Sequence, residues 1–274
     1  MSICPGLTVA EVQAAMPLDP LENRILLCHA LDLNRVGLIT RSHRVLSAAE
    51  ADALNALVAR RAAGEPIAYI VGKREFFGLD FRVNDAVLIP RPDTELLVEL
   101  ALEHLAPNAS VLDMGTGSGA IAVAIAHTRP DASVCALDAS VDALAVARAN
   151  AGANGVTVRF LHSDWYAALE GERFDLIVSN PPYIASGDSH LSEGDLRFEP
   201  VAALTDHADG LSALRAIVAG AASHLIPGAW LLLEHGYDQA AQVRQLLAGH
   251  GYTGVQSWRD LSGIERVSGG QAPP

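Results

Sequence analysis

The feature that most constrains the fold is a repeated alternation of short apolar runs and helical segments from residue 110 onward. The first apolar run, residues 111–114, leads into a glycine-rich turn at 115–119 and a helical run at 120–127. Further apolar runs of strand length follow at residues 134–137, 156–161, 174–179 and 230–233. Strands that alternate with helices form parallel sheets with helices packed on both faces. We therefore predict an α/β domain with a doubly wound, mostly parallel sheet.

The first 72 residues have a different, helical pattern. Asp19-Pro20 combines a capping residue with a proline at the first helical position, and Ser47 with Glu50 forms a second helix-start signal. The helix after Pro20 is predicted to bury one apolar face, made of Leu21, Ile25, Cys28 and Leu31. Residues 1–72 are therefore predicted to form a small helical-bundle domain.

Two further segments complete the predicted architecture. Residues 73–90 contain two short strand patterns and are predicted to form a β-hairpin linker to the α/β domain, residues 91–274. Strand candidates near Val255 and Arg266 close the chain, and an antiparallel strand is expected there. The tripeptide Gly269-Gly270-Gln271 follows, in a tail that we expect to be disordered.

Composition and charge exclude several classes of protein. Half of the 274 residues are hydrophobic, but no apolar run approaches the ~18 residues that span a bilayer, and no signal peptide is evident. We therefore expect a cytoplasmic protein with no membrane partner. The three cysteines are far apart, which supports neither a disulfide framework nor a metal site. Residues 91–274 carry a net charge of −12, which disfavours a nucleic-acid substrate.

Polar residues and glycines at three consecutive strand ends predict a nucleoside-binding crevice. Glycines between a strand and a helix let backbone amides approach a ligand closely. Asp138 can accept both hydroxyl groups of a ribose, and Asp164-Trp165 offers an acceptor and a ring for adenine. The predicted cofactor-binding residues are Gly115, Thr116, Gly117, Ser118, Gly119, Asp138, Asp164, Trp165 and Asn180. The glycine spacing also satisfies the dinucleotide fingerprint, so a nicotinamide-dependent oxidoreductase stays open at this point.

The fourth strand end carries the sequence Asn180-Pro181-Pro182-Tyr183. Two consecutive prolines stiffen the segment and remove two backbone donors. The Asn180 side-chain oxygen and the Pro181 carbonyl can each accept one hydrogen of a planar NH2 group, while the Tyr183 ring packs on its face. We therefore predict Asn180, Pro181 and Tyr183 as catalytic residues and Asn180–Tyr183 as the substrate-binding segment. An Asn-Pro turn with a core tyrosine is the structural alternative.

These motifs, in this order, resemble class I S-adenosylmethionine-dependent methyltransferases that act on exocyclic or amide nitrogen. Asn180–Tyr183 alone is also found in adenine-N6 nucleic-acid methyltransferases, which remain an alternative. Further segments are similar to the peptide chain release factor N5-glutamine methyltransferases: Gly64–Ile70, Arg74–Phe77, Leu88–Glu95, Phe198–Pro200, Leu233–Gly236 and Glu265–Val267. The resemblance runs from about residue 20 to 268.

The resemblance implies a Rossmann-like catalytic domain, a hairpin linker and a helical domain that docks the substrate protein. It implies S-adenosyl-L-methionine as methyl donor, S-adenosyl-L-homocysteine as product, and no metal. The implied partners are class 1 peptide chain release factors, methylated on the glutamine of a Gly-Gly-Gln motif. A non-catalytic adaptor is disfavoured, because every motif expected for the chemistry is intact.

Overall fold

The computed structural model describes residues 3–273, which form two compact units. The first unit ends at Gly72 and the second begins at Lys73. The helices described in the first unit are α1 (Val9–Ala15), α2 (Pro20–Ala30), α3 (Arg35–Thr40), α4 (Ala48–Ala62) and α5 (Ile67–Val71).

Side chains cap α2 and α4 as the sequence predicts. The Asp19 carboxylate accepts the Leu21 N–H at 2.8 Å, and Pro20 is the first helical residue. At α4, Ser47 and Glu50 form a reciprocal capping box, in which the Glu50 carboxylate accepts the Ser47 N–H at 2.9 Å. Each such cap stabilises a helix by about 1 kcal/mol. Both predicted helix starts are confirmed.

The predicted apolar face of α2 is only partly confirmed, since Leu31 is buried and Cys28 packs against the core of this unit. Leu21 is 52% exposed, whereas Leu26 and Leu27 are fully buried. Residues 25–28 are all apolar, so their spacing cannot select one face of the helix. The selection comes from Asn23, which is buried and donates to the carbonyls of Met16 and Leu18 at 3.1 and 2.9 Å. A buried amide of this kind fixes the rotation of α2 through its hydrogen bonds.

The second unit begins with an antiparallel hairpin of β1 (Lys73–Phe76) and β2 (Leu79–Arg82). Phe76 and Phe81 are buried in the core of this unit, with ring centroids 6.0 Å apart in an edge-to-face arrangement. Buried aromatic pairs contribute both apolar area and a preferred geometry. The strands at the start of the predicted linker, residues 73–90, are therefore part of the core of the second unit.

The main sheet contains seven strands: β3 (Ser110–Met114), β4 (Ser133–Asp138), β5 (Arg159–His162), β6 (Phe174–Ser179), β7 (Leu225–Glu234), β8 (Thr253–Arg259) and β9 (Glu265–Gln271). Their spatial order is β5-β4-β3-β6-β7-β9-β8. The strands β5, β4, β3, β6 and β7 pair in parallel, and β9 runs antiparallel to both β7 and β8. The predicted fold class, a mostly parallel sheet with an antiparallel strand near the C-terminus, is confirmed.

The helices of the second unit are α6 (Glu95–His104), α7 (Ala120–Thr128), α8 (Val141–Ala153), α9 (Val201–Leu204), α10 (Ser212–His224) and α11 (Ala240–Gly249). They cover both faces of the sheet, because successive strand residues point to opposite sides. Val111 and Val178 pack with α6 and α7, whereas Leu112 and Ile177 pack with α10 and α11. None of the helices in residues 3–273 has the length and apolar character needed to cross a membrane.

The strand order places a crevice at the carboxyl ends of β3 and β6. After β3 the chain adds β4 and β5 on one side, and it then crosses over to add β6 and β7 on the other side. Open α/β sheets bind ligands at such a switch point, because the loops that leave the two central strands diverge there.

The expected disorder of the Gly269-Gly270-Gln271 tail is wrong. These residues are the end of β9, paired with Leu232, Leu231 and Trp230 of β7. A Cβ atom at Gly269 would lie 2.6 Å from the Leu231 carbonyl oxygen, so the close approach of β7 requires glycine there. The tripeptide is therefore explained by sheet packing.

Candidate active site

A cavity of about 410 Å³ lies at the carboxyl ends of the central strands. Its volume falls in the range of roughly 300–1,000 Å³ that is typical of small-molecule sites. The predicted site residues that line it are Gly115, Thr116, Gly117, Ser118, Asp138, Asp164, Trp165, Asn180 and Pro182. Gly119, Pro181 and Tyr183 are not among the lining residues. The structure thus brings most of the predicted residues to one cavity.

The glycine-rich turn is held in place by backbone contacts. The Gly115 and Thr116 N–H groups both donate to the Leu137 carbonyl at 2.9 Å, which ties the turn to the end of β4. Gly119 has a φ of 83° and begins α7. A Cβ atom there would lie 3.1 Å from the Ala147 Cβ of α8, so Gly119 permits close helix packing instead of contacting the cavity.

Asp113, which lies beneath this turn, was not singled out as a site residue from the sequence. It is fully buried and accepts hydrogen bonds from the Thr116 hydroxyl at 2.6 Å and the Ala122 N–H at 3.2 Å. Burial raises the pKa of Asp113 to about 7, although both hydrogen bonds act in the opposite direction. Asp113 therefore connects the turn to the first residues of α7.

Asp138 uses both of its carboxylate oxygens to organise the backbone around it. Oδ2 accepts the Gly117 N–H at 2.9 Å, and Oδ1 accepts the Ser140 N–H at 2.8 Å. Asp138 is half-buried on the cavity wall. Each carboxylate oxygen still has a second lone pair for a ligand hydroxyl group.

Trp165 reaches the cavity through an unusual backbone conformation. Its φ of 45° lies in the left-handed region, which a bulky residue seldom adopts. The Ser163 hydroxyl donates to the Trp165 carbonyl at 2.7 Å and accepts the Ala168 N–H at 3.0 Å. These two bonds hold the turn and keep the indole ring on the cavity wall.

Asn180 presents a free oxygen because its amino group already has a partner. Its Nδ2 donates to the Thr94 hydroxyl at 3.2 Å, and Thr94 is buried just before α6. Within residues 3–273, no group donates to Asn180 Oδ1 or to the Pro181 carbonyl. Both acceptors predicted from the sequence are therefore without a donor in this described range, although of the two only Asn180 is among the residues that line the cavity. Thr94 was missed, because no local pattern relates it to a residue 86 positions away.

Tyr183 is turned away from the cavity. Its hydroxyl group donates to Glu234 Oε1 at 3.3 Å, and its carbonyl accepts from Gln239 Nε2 at 2.9 Å. Burial raises the pKa of Tyr183 well above its usual value, and the Glu234 charge acts in the same direction. The ring therefore packs behind the segment that carries Asn180 instead of forming a cavity wall.

Glu199 fixes the segment that covers one side of the cavity. Its side chain is buried, accepts the Ile89 N–H at 3.0 Å and pairs with Arg91. Burial raises the pKa of Glu199, and Arg91 opposes that shift. Leu88, Pro90 and Arg91 line the cavity and are held there by this contact. In the part of the chain that the structure describes, no cluster of three or more His, Cys, Asp or Glu side chains could hold a metal ion.

Comparison with known proteins assigns this chain to a family. Residues 9–72 match the model of the PrmC N-terminal domain, and residues 92–195 match that of the methyltransferase small domain. The release factor glutamine methyltransferase of Burkholderia pseudomallei is 60% identical, over 97% of this chain and 96% of its own length. This chain belongs to the release factor glutamine methyltransferase family. A second member, from Xylella fastidiosa, is 52% identical over 93% of this chain and 94% of its own length.

Solved structures of other methyltransferases share the fold of this family member. A methyltransferase from Pyrococcus furiosus matches 79% of this chain and 98% of its own, with a TM-score of 0.56 and 21% identity. A T. thermophilus 16S rRNA N2 G1207 methyltransferase, solved with AdoMet and guanosine, matches 73% of this chain and 49% of its own, with a TM-score of 0.55 and 24% identity. The family is one of methyltransferases, so the resemblance stated from the sequence is confirmed and the nicotinamide oxidoreductase alternative is set aside.

Proposed function

We propose that this family member transfers a methyl group from S-adenosylmethionine to the side-chain amide nitrogen of the glutamine in the Gly-Gly-Gln motif of class 1 release factors. One observation carries the proposal. Asn180 lies at the end of β6 on the cavity wall, and its Nδ2 is occupied by Thr94. The Oδ1 atom is therefore left to accept a hydrogen bond from an NH2 group. An adenine-N6 substrate is disfavoured by the relatives and by the net charge of −12 on residues 91–274.

The cavity fits S-adenosylmethionine. Gly115 and Gly117 have φ values of 71° and 54°, and a Cβ atom at either would meet no atom within 4 Å. Ligand atoms can therefore approach this backbone directly. We assign Gly115–Ser118 and Asp138 to the nucleoside and amino-acid parts of the cofactor, and Asp164 with Trp165 to the adenine. Gly119 would support this site through its packing against Ala147.

The chemistry follows from the two free acceptors. S-adenosylmethionine supplies an electrophilic methyl group when bound. An amide nitrogen is a weak nucleophile, because its lone pair is delocalised into the carbonyl group. Hydrogen bonds from the glutamine NH2 to Asn180 Oδ1 and the Pro181 carbonyl would orient the nitrogen and stabilise positive charge that develops on it.

The atoms and charges of this transfer balance without a further reactant. The bond from sulfur to the methyl carbon breaks as the bond from nitrogen to that carbon forms. The products are S-adenosylhomocysteine and the methylated amide, and the nitrogen releases one proton to water. A substrate carboxylate would place its two oxygens against Asn180 Oδ1 and the Pro181 carbonyl, and no hydrogen would be available to bond them. The site would therefore select an amide.

The partner assignment is supported by the relatives and by the first unit. The Burkholderia and Xylella proteins are named release factor glutamine methyltransferases. We propose that residues 1–72 dock the release factor, that residues 73–90 lead into the catalytic part, and that methylation takes place in the cytoplasm. The substrate loop would be glycine-rich, so that its backbone could enter the crevice beside Asn180.

The test compares three methyl acceptors under the same conditions. Labelled S-adenosylmethionine is incubated with the enzyme and a class 1 release factor, its Gln→Glu variant at Gly-Gly-Gln, or duplex DNA. We expect label on the unmodified release factor alone. Label on DNA, or undiminished label on the Gln→Glu variant, would contradict the proposed function.

A further inference from the structure

Glu234 is a buried carboxyl group directly behind the proposed methyl-acceptor site. It ends β7, the strand next to β6, and is 1% exposed. The Tyr183 hydroxyl donates to Oε1, whereas Oε2 is buried and makes no hydrogen bond of normal geometry with any group in residues 3–273. A buried carboxylate oxygen without a partner is costly, so the role of Glu234 requires an explanation.

Thr94 lies between Glu234 and Asn180. Its hydroxyl oxygen accepts from Asn180 Nδ2 at 3.2 Å, and hydrogen bonding from Thr94 is one of the interactions that lower the pKa of Glu234. A hydroxyl group carries one hydrogen and two lone pairs. An ionised Glu234 beside Thr94 would attract that hydrogen to its unpaired Oε2, and the oxygen of Thr94 would then be a pure acceptor toward Asn180.

We propose that Glu234, acting through Thr94, is a positioning residue that determines which atom of the Asn180 side-chain amide faces the methyl acceptor. The inference rests on the proposed function. Because Thr94 can only accept from Asn180, the amide must place Nδ2 toward Thr94 and Oδ1 toward the cavity. An amide rotated by 180° would place Nδ2 toward the substrate NH2 group, and two donors would then face each other.

The charge state of Glu234 controls this arrangement. Burial raises its pKa to about 7, and Asp93 acts in the same direction, whereas Thr94, Tyr183 and Arg266 lower it. When Glu234 is ionised, it accepts the Thr94 hydrogen. When it is protonated, its own hydrogen can be donated to Thr94, whose hydroxyl is then free to donate to Asn180 Oδ1. Turnover should therefore rise with pH as Glu234 loses its proton.

The experiment uses the full-length enzyme and two substitutions that change the hydrogen bonds with little change in volume. Thr94→Val removes the relay, and Glu234→Gln provides an NH2 group that can donate to Thr94. Thr94→Ser restores the hydroxyl group. Ser268→Ala is the matched control, because Ser268 is a buried hydroxyl on β9 that bonds to His235 outside this network. Circular dichroism checks that every variant is folded.

We expect Thr94→Val and Glu234→Gln each to lower kcat for the release factor by roughly 10- to 100-fold, the scale for a misplaced polar group. Affinity for S-adenosylhomocysteine should stay within about threefold. Thr94→Ser should recover most of the loss, and Ser268→Ala should stay within about twofold. The rise of kcat between about pH 6 and 8 should be absent in Glu234→Gln.

A binding measurement provides a readout that is independent of turnover. In the presence of S-adenosylhomocysteine, Gly-Gly-Gln peptide should bind wild-type enzyme at least about tenfold more tightly than Gly-Gly-Glu peptide. Thr94→Val should narrow this ratio, although the Glu234 charge is still present. The inference would be overturned if Thr94→Val had the same kcat and the same ratio of peptide affinities as Ser268→Ala. If Glu234→Gln does not fold, the comparison of Thr94→Val with Ser268→Ala still tests the inference. A wild-type enzyme that methylates no release factor would overturn the proposed function, and this inference with it.

Discussion

The two halves of the cavity are built in different ways. The half around the glycine-rich turn is held by main-chain groups: the N–H groups of Gly115, Thr116 and Gly117 are bonded to the Leu137 carbonyl or the Asp138 carboxylate. The half around Asn180 is held by side chains: Asn180 donates to the Thr94 hydroxyl, and Tyr183 donates to Glu234. Hydrogen bonds from main-chain N–H groups persist when the side chain of the donor residue is changed. A network of side chains is lost when any one donor or acceptor is replaced. Substitutions should therefore affect the Asn180 half more specifically.

The two halves also differ in how far apart their residues lie in sequence. The bond from Gly117 to Asp138 spans 21 positions and belongs to one strand–helix–strand unit. The bonds from Asn180 to Thr94 and from Tyr183 to Glu234 span 86 and 51 positions. The first half is a local supersecondary motif, and the second exists only after the whole sheet has assembled.

The largest effect is expected in the Asn180 half. Asn180→Ala should lower kcat by roughly 100-fold or more, because it removes one of two preorganised acceptors. Affinity for S-adenosylmethionine, measured by calorimetry, should change much less. Asn154→Ala, at the end of α8, removes a comparable amide away from the cavity and serves as the control. Turnover within about threefold of wild type would mean that the two halves do not differ as described.

Removal of the first unit tests whether either half depends on it. Residues 73–274 contain every cavity residue, and the cut keeps the hairpin, because Asn150 of α8 bonds to the Arg82 N–H and carbonyl. We expect normal cofactor affinity and a kcat/KM for intact release factor that is lower by at least about tenfold, or roughly 1.4 kcal/mol. A short Gly-Gly-Gln peptide, which has little surface for docking, should lose much less. Equal kcat/KM for intact release factor with and without the first unit would refute the docking role.

A moderate effect on binding is expected in the glycine half. Asp138→Ala should weaken S-adenosylmethionine binding by about 1–3 kcal/mol, the scale for hydrogen bonds to a charged acceptor. Part of the loss should come from the Gly117 N–H, which would no longer be held. Asp175→Ala is the matched control, since Asp175 accepts the Ser110 N–H at 2.8 Å near the start of β6. Calorimetry that finds equal affinity for Asp138→Ala and the control would remove Asp138 from the site.

The smallest effect concerns stability. The pKa of Asp113 is raised from 3.8 to about 7 in the folded protein, so the folded state binds more protons than the unfolded state between about pH 4 and 7. The contribution of Asp113 to the free energy of unfolding therefore falls as pH rises through this window. Asp113→Asn should reduce the fall between pH 5 and 7.5 by about 1–2 kcal/mol in urea titrations. Glu234 and Glu199, whose pKa values are also raised, should contribute a fall of the same sign. An unchanged slope in Asp113→Asn would show that Asp113 is ionised throughout.

The sequence predicted what depends on local patterns. Strand–helix alternation gave the fold class, and the caps at Asp19 and Ser47 gave two helix starts, because propensity and periodicity act over a few residues. The cavity residues at four strand ends could be named for the same reason, since parallel strands bring their carboxyl ends to one edge.

What the sequence did not predict depends on contacts between distant segments. Thr94, Gln239 and the role of Glu199 have no local signature, because their partners lie 56 to 110 positions away. The direction of the Tyr183 ring was missed for this reason, since Glu234 and Gln239 determine it. The apolar face of α2 was misjudged at Leu21, because Asn23, a polar residue, is buried instead.

The packing of Gly269 against β7 has a consequence for substrate competition. The enzyme carries the same tripeptide as its proposed target, and a tethered copy that could reach the cavity would act as a competitor at an effective concentration of roughly millimolar. That competitor could be exposed only by local unfolding of β9, which lies between β7 and β8. Opening an interior strand costs a large share of the stability of a domain. By holding this tripeptide in β9, the sheet prevents it from competing with the substrate. A substitution that destabilised β9 would be detected first as methylation of Gln271.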